Sequence, residues 1–207
     1  MIFLADAGIP ALIGLVIGML TGITGHEFSH ALVADQLGDH RPRAMGRVSL
    51  NPLRHLDPLG TLLLVVVGIG WGKPVMVRPD ALRPGRVGMA MVGAAGPVAN
   101  VVMALILATA FRALDAVGVE GVVLTVVFFA VTINLLLALL NLVPIPPLDG
   151  FAIVSALVPP HVEALLQRYA NYGFVLLLLL LIVPNSPLNF VLGLAYPWAS
   201  LLCGLAG

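Results

Sequence analysis

The chain has 207 residues, of which 60% are hydrophobic and 10% charged, with ten basic and ten acidic side chains and a formal net charge of zero. An ordinary soluble domain carries about a quarter charged residues, so this composition excludes the soluble classes and marks a chain that crosses a membrane several times. The neutral balance leaves no global field for nucleic acid, and the single cysteine, Cys203, excludes a disulfide framework and any cysteine-based metal cluster.

The N-terminal MIFLADAGIP has Asp6 and no basic residue ahead of its apolar run. A secretion signal has a basic start, so residues 1–9 read as a short lead into a retained helix. Apolar segments follow at 11–34, 59–71, 88–111, 121–143, 170–183 and 188–205. A spanning helix needs about 20 apolar residues. The segments at 11–34, 88–111 and 121–143 meet that length; the last two are shorter or broken by Pro197. Segment 59–71 is too short to cross unaided and follows Asp57-Pro58, a helix-cap signature. Eight of the ten basic residues lie between Arg41 and Arg86 and flank segment 59–71 on both sides. Basic residues stay cytoplasmic, so 35–87 reads as cytoplasmic, with 59–71 re-entrant or interfacial and 47–50 a short strand beside it. The expected fold is an all-α polytopic membrane protein of five or so transmembrane helices with a three-helix core.

The strongest chemical signal is His26-Glu27-Phe28-Ser29-His30, an H-E-x-x-H pattern inside the first apolar helix. Four residues of helix turn through about 400° and rise about 6 Å, so both imidazoles face one way, one turn apart. That geometry suits zinc, and Glu27, beside the first ligand, sits where a general base is needed. Three ionisable side chains in a membrane helix are costly unless they bind or pair with something.

A catalytic zinc takes three protein ligands and keeps one position open. Asp6, Asp35 and Asp39 sit at helix ends, and Asp57 has a capping role. Asp115 and Glu120 belong to a polar turn on the far side, and His40, His55 and His161 read as solvated or interfacial. Asp149 stands apart, following Pro144, Pro146 and Pro147 at the end of a spanning helix, with Gly150 permitting close approach. Its simplest alternative role is to cap a helix over 151–158. Topology tests the pairing: with 59–71 not crossing, Asp149 returns to the cytoplasmic face that carries His26 and His30.

These residues resemble the site-2 protease family of intramembrane zinc metalloproteases. The resemblance rests on HEFSH, on Gly96-Pro97-Val98-Ala99-Asn100 and on Asn141 through Gly150. Leu50–Gly60 and Gly70–Val75 are similar to its compact bacterial branch, which lacks PDZ and CBS domains. It covers roughly residues 11–160 and implies one zinc per chain held by His26, His30 and Asp149, with Glu27 as acid/base. It also offers Asn100 and Asn141 as substrate or oxyanion contacts; the other role open to them, and the one read for Asn134, is bonding a neighbouring helix. The chain is then a single membrane-embedded protease domain, 1–207, with a catalytic core at about 11–160 and accessory helices at 161–207. Its expected setting is the cell membrane, its site toward the cytoplasm, its partners the lipid bilayer and a membrane-anchored protein substrate, with no nucleic acid. A metal transporter using the same ligands would want further polar residues across the bilayer, which 101–111 and 174–183 lack. A silent binder of membrane helices would have no use for an intact H-E-x-x-H.

Overall fold

A computed structural model describes residues 8–57 and 72–205. The segment 59–71, its Pro58 start, and Asp6 lie outside the described residues. The helices are α1 (Gly8–Gln36), α2 (Arg41–Ala44), α3 (Arg86–Ala116), α4 (Val122–Asn141), α5 (Asp149–Leu157), α6 (Pro160–Tyr169), α7 (Gly173–Ile182), α8 (Pro187–Gly193) and α9 (Ala195–Cys203). Among the described residues the only β pairing is an isolated antiparallel bridge between Leu56 and Gly72. Among the described residues, four helical stretches are long and apolar enough to cross a membrane: α1, α3, α4 and the continuous run Pro160–Ile182. This is an all-α polytopic membrane protein.

Two prolines sit within helices. Pro97 lies within α3, where it is fully buried. Prolines are tolerated in membrane helices because packed neighbours re-satisfy the freed backbone. The C-terminal apolar run breaks at Leu194, between α8 and α9, rather than at Pro197. Pro197 falls in the first turn of α9, where a missing N–H costs nothing.

The described residues form two compact units. The first comprises the chain up to Gly22, Asn100–Leu140 and Leu180 onward. Here Gly14, Gly18 and Gly22 repeat every fourth residue along α1, so they share one face. A Cβ at Gly14 would lie 2.9 Å from Phe129 Cβ, at Gly18 2.7 Å from Ala130 Cα, and at Gly22 2.9 Å from Asn134 Oδ1. The stripe lets α1 and α4 approach backbone to backbone, the usual way membrane helices associate. Asn134, fully buried, donates to Gly18 O at 3.2 Å and Ala130 O at 2.9 Å. Asn100, equally buried, donates to Gly22 O at 3.1 Å and Asn134 Oδ1 at 3.3 Å. A small apolar core joins Ala104, Ala108 and Phe111 to Phe128, Val131 and Leu135 and to Ala195, Ala199 and Cys203.

The second unit comprises Ile23–Ala99 and Asn141–Leu179. Its polar connections are tied by side chains. Asp39, buried, accepts from Arg41 Nε at 2.8 Å, Arg41 Nη2 at 2.6 Å and the Arg78 backbone N–H at 2.8 Å. Asp35 pairs with Arg43 at 2.8 Å and His40 at 2.9 Å. Residues 47–50 do not form the expected strand. Arg47 N–H bonds to Pro42 O and Ser49 N–H to Arg47 O, so local turns take up the donors a ladder would need. His55 is not solvated: its side chain is fully buried, with Nε2 2.6 Å from Ser49 O. Its carbonyl accepts from Lys73 N–H at 2.6 Å, and the Arg47 guanidinium reaches both Arg54 O and Lys73 O.

Candidate metal centre

The site grows from the C-terminal half of α1. Helical spacing stacks His26 and His30 one turn apart, and their rings meet edge to face with centroids 4.6 Å apart. Both are buried. Their Nε2 atoms lie 3.0 Å apart. His30 Nδ1 is 2.6 Å from Val92 O of α3. A carbonyl only accepts, so Nδ1 carries the proton, and in the neutral ring Nε2 presents a bare lone pair.

The third donor arrives from α5. After α4 ends at Asn141, the proline-rich turn 142–148 redirects the chain. Gly150 then packs against that turn so closely that a Cβ there would lie 2.5 Å from Val143 O. Pro146 also meets Gly173, the first residue of α7, where a Cβ would lie 2.7 Å from the proline ring. Leu148, not Asp149, occupies the N-cap of α5. The Asp149 carboxylate is turned instead to the histidines, with Oδ2 3.0 Å from His26 Nε2 and 3.3 Å from His30 Nε2.

Two observations test whether a zinc ion fits. Asp149 Oδ2 is buried and makes no hydrogen bond, although it faces two ring nitrogens at contact distance. A buried carboxylate oxygen that faces two ring nitrogens without a hydrogen bond to either suits a metal ligand. Tetrahedral ligands with metal bonds of 2.0–2.1 Å lie about 3.3 Å from one another, and the three donor separations here are 3.0, 3.0 and 3.3 Å. The second observation is Gly96 of α3. A Cβ there would lie 2.5 Å from His26 Cε1 and 2.6 Å from His26 Nε2, and closer still to His30 Nε2. A side chain at 96 would fill the space the ring nitrogens face, so the residues present fit the ion. Among the described residues, these three form the one His/Cys/Asp/Glu group that can hold a metal.

The remaining sequence candidates fall elsewhere. Glu27 is half-buried beside Gly72, where a Cβ would lie 3.5 Å from its Oε1. Asn100 is engaged with Gly22 and Asn134 as described, and Asn141 is the half-buried last residue of α4. Asp35, Asp39 and His40 are committed to ion pairs, while Asp115, Glu120 and His161 are exposed. The Arg41 guanidinium bonded to Asp39 holds that carboxyl down to about 2. Sequence reading missed the use of Gly96 as a seat for the imidazoles and of Val92 O as the orienting acceptor. No residue-type signal marks a backbone carbonyl, and a small residue such as Gly96 reads first as a place of close helix packing.

A helical membrane protein with two buried histidines and a half-buried aspartate converging as donors, and a carboxylate adjacent to the first histidine, is built as a metal-dependent hydrolase. The comparisons with known proteins agree. The profile of peptidase family M50 matches residues 115–183. "Putative zinc metalloprotease YwhC" of Bacillus subtilis is 40% identical over 176 residues, covering 82% of this chain and 80% of that protein. "Putative zinc metalloprotease Rip2" is 32% identical in Mycobacterium tuberculosis, covering 88% of this chain and 71% of the relative. Rip2 of Mycolicibacterium smegmatis is 31% identical, covering 82% and 67%. No solved structure matches the chain. The chain belongs to peptidase family M50, the site-2 proteases. It is a zinc metalloprotease and a multi-pass membrane protein.

Proposed function

We propose that this protease cleaves membrane-protein substrates within or beside their transmembrane segments, from a site facing the cytoplasm, in regulated intramembrane proteolysis. His26, His30 and Asp149 hold the zinc, Glu27 is the acid/base, and the chain acts as one membrane-embedded domain. The observation that carries the reading is the convergence of His26 Nε2, His30 Nε2 and Asp149 Oδ2 within 3.3 Å of one another, the two histidines lying on an apolar helix long enough to span.

Bound zinc supplies Lewis-acid polarisation of the scissile carbonyl and a more acidic water. The work of the chain's own residues follows from their placement. Glu27 takes a proton from the attacking water and delivers it to the leaving amine nitrogen. Val92 O holds the His30 ring in the tautomer that leaves Nε2 free. A helical peptide bond is shielded by its own hydrogen bonding, so the substrate must be extended at the cut. The region 44–75 holds that extended strand by β-strand addition. In support, Gly72 pairs with Leu56 and lies beside Glu27, and Lys73, Pro74 and Met76 are exposed in the non-helical residues that follow it. We propose no direct oxyanion contact from the Asn100 amide group, whose nitrogen is bonded to Gly22 and Asn134; Asn141, at the end of α4, is kept as a substrate contact.

The test is Glu27→Gln, which keeps side-chain size and cannot accept the proton. Purified variant should retain about one zinc per chain. Its cleavage of a panel of single-span membrane proteins should fall by a factor of about 10²–10⁴. Undiminished cleavage removes Glu27 from the role; zinc retained in full by His26→Ala/His30→Ala removes the site.

A further inference from the structure

The Asp149-bearing helix α5 is held at both ends by one face of α3. Arg86 and Gly93 are seven residues apart on α3, two turns along the same face. At the start of α5, Gly93 allows close approach: a Cβ there would lie 3.4 Å from Asp149 O, 3.1 Å from Ile153 and 3.6 Å from Ala152. At its end, Arg86 Nη2 donates to Ser155 O at 2.9 Å and to Val158 O at 2.6 Å. The same nitrogen lies 3.0 Å from Glu163 Oε2 in α6.

The last carbonyls of a helix have no partner within it, and a cation placed there is favoured by the helix dipole. A guanidinium bonding two such carbonyls therefore sets where the helix ends, as a flexible ammonium would not. With nine residues, α5 is about 13 Å long and rigid over that span, so a shift at Val158 is transmitted to Asp149. The same stretch of α3 also seats the histidines, through Val92 O and the open side of Gly96. The helix that orients two metal donors thus indexes the element carrying the third.

We infer that Arg86 is a positioning residue for Asp149, acting through α5 from the far end of that helix. This rests on the reading of His26, His30 and Asp149 as the zinc ligands. Metal sites tolerate donor displacements of about 0.2 Å, and loss of an outer partner that orients a ligand typically weakens metal binding about 10–100-fold.

The experiment compares the parent, Arg86→Met, Arg86→Lys, Glu163→Gln and Asp149→Ala as full-length protein in detergent. Zinc affinity is read by chelator competition, ligand geometry by the visible absorption of the cobalt(II)-substituted protein, and folding by circular dichroism. Arg86→Met should lose about 10–100-fold in zinc affinity with a shifted cobalt spectrum. Arg86→Lys should fall between it and the parent. Glu163→Gln, which leaves the carbonyl clamp in place, should stay within about twofold of the parent, well inside the loss an outer partner causes. Parent-like affinity and spectrum in folded Arg86→Met, beside metal loss in Asp149→Ala, would overturn the inference and leave the ligand set standing. Should Arg86→Met not fold, a parent-like Arg86→Lys overturns it. A Glu163→Gln defect equal to the arginine variants' would assign the effect to the ion pair and overturn it also. Full zinc retention in Asp149→Ala would remove the ligand reading itself, and this inference with it.

Discussion

Gly96→Ala sets two effects of one methyl group against each other. In an ordinary helix interior the change is favourable by about 0.5–1 kcal/mol, because alanine has less backbone freedom to lose. At position 96 the new Cβ would meet His26 Cε1 at 2.5 Å and His26 Nε2 at 2.6 Å, and would press harder on His30 Nε2. Ordinary van der Waals contact begins near 3.4 Å, so the rings must retreat by roughly 1 Å, several times the ~0.2 Å that metal–ligand distances tolerate. His30 cannot retreat freely, because Nδ1 is bonded to Val92 O at 2.6 Å on the same helix. The expected outcome is a fall in zinc affinity of at least about tenfold, or about 1.4 kcal/mol, with metal-free stability lowered by up to about 1–3 kcal/mol, because the clash with the buried rings outweighs the helix-propensity gain. Chelator competition reads the first and thermal unfolding of the metal-free protein the second. Gly193→Ala is the control, since nothing lies within 4 Å of a Cβ there. Zinc affinity in Gly96→Ala within twofold of the parent would refute the reasoning, because it would mean that the imidazoles do not occupy the space this glycine leaves open.

The same substitution in the α1 stripe should act on the fold. Gly18→Ala places a Cβ 2.7 Å from Ala130 Cα, a backbone atom that cannot turn aside, so thermal unfolding should show a loss of about 1–3 kcal/mol. The Asp39 carboxyl, held down to about 2 chiefly by its bond to the Arg41 guanidinium, should make the protein acid-sensitive. A depressed carboxyl contributes its stabilisation fully above the unfolded value near 4 and loses it as pH falls toward 2, an effect of at most about 2 kcal/mol. The stability difference between parent and Asp39→Asn should therefore be flat above pH 5 and shrink below pH 4; a difference that grows on acidification contradicts the assignment. In a Cys203→Ala background, His40→Cys and Asp80→Cys proteins should both be labelled by a membrane-impermeant thiol reagent from the cytoplasmic side alone. Labelling from opposite sides would show that the chain crosses between them and would exclude the proposed topology.

Composition and hydropathy determined by themselves that this is a helical membrane protein, and the long apolar runs located α1, α3 and α4 to within a few residues. The His26–His30 pair was legible for the same local reason: the period of a helix alone puts two side chains four residues apart on one face. Gly14, Gly18 and Gly22 carried a readable signal too, since small residues every fourth position mark close helix packing, although which helix they meet depends on distant residues. Asp149 could be singled out by its setting among prolines, but its direction could not. Whether it caps α5 or faces the imidazoles depends on how Gly150 meets the backbone at 142–143 and how Gly93 meets α5. The same holds for His55, polar by type and set among charged neighbours in sequence, yet fully buried between segments joined by backbone pairing. Arg86 read only as one of eight cytoplasmic charges until folding brought the end of α5 to it. What only the tertiary structure decided is this second group of facts, because each rests on a contact between residues far apart in the chain, where hydropathy and helical period carry no information.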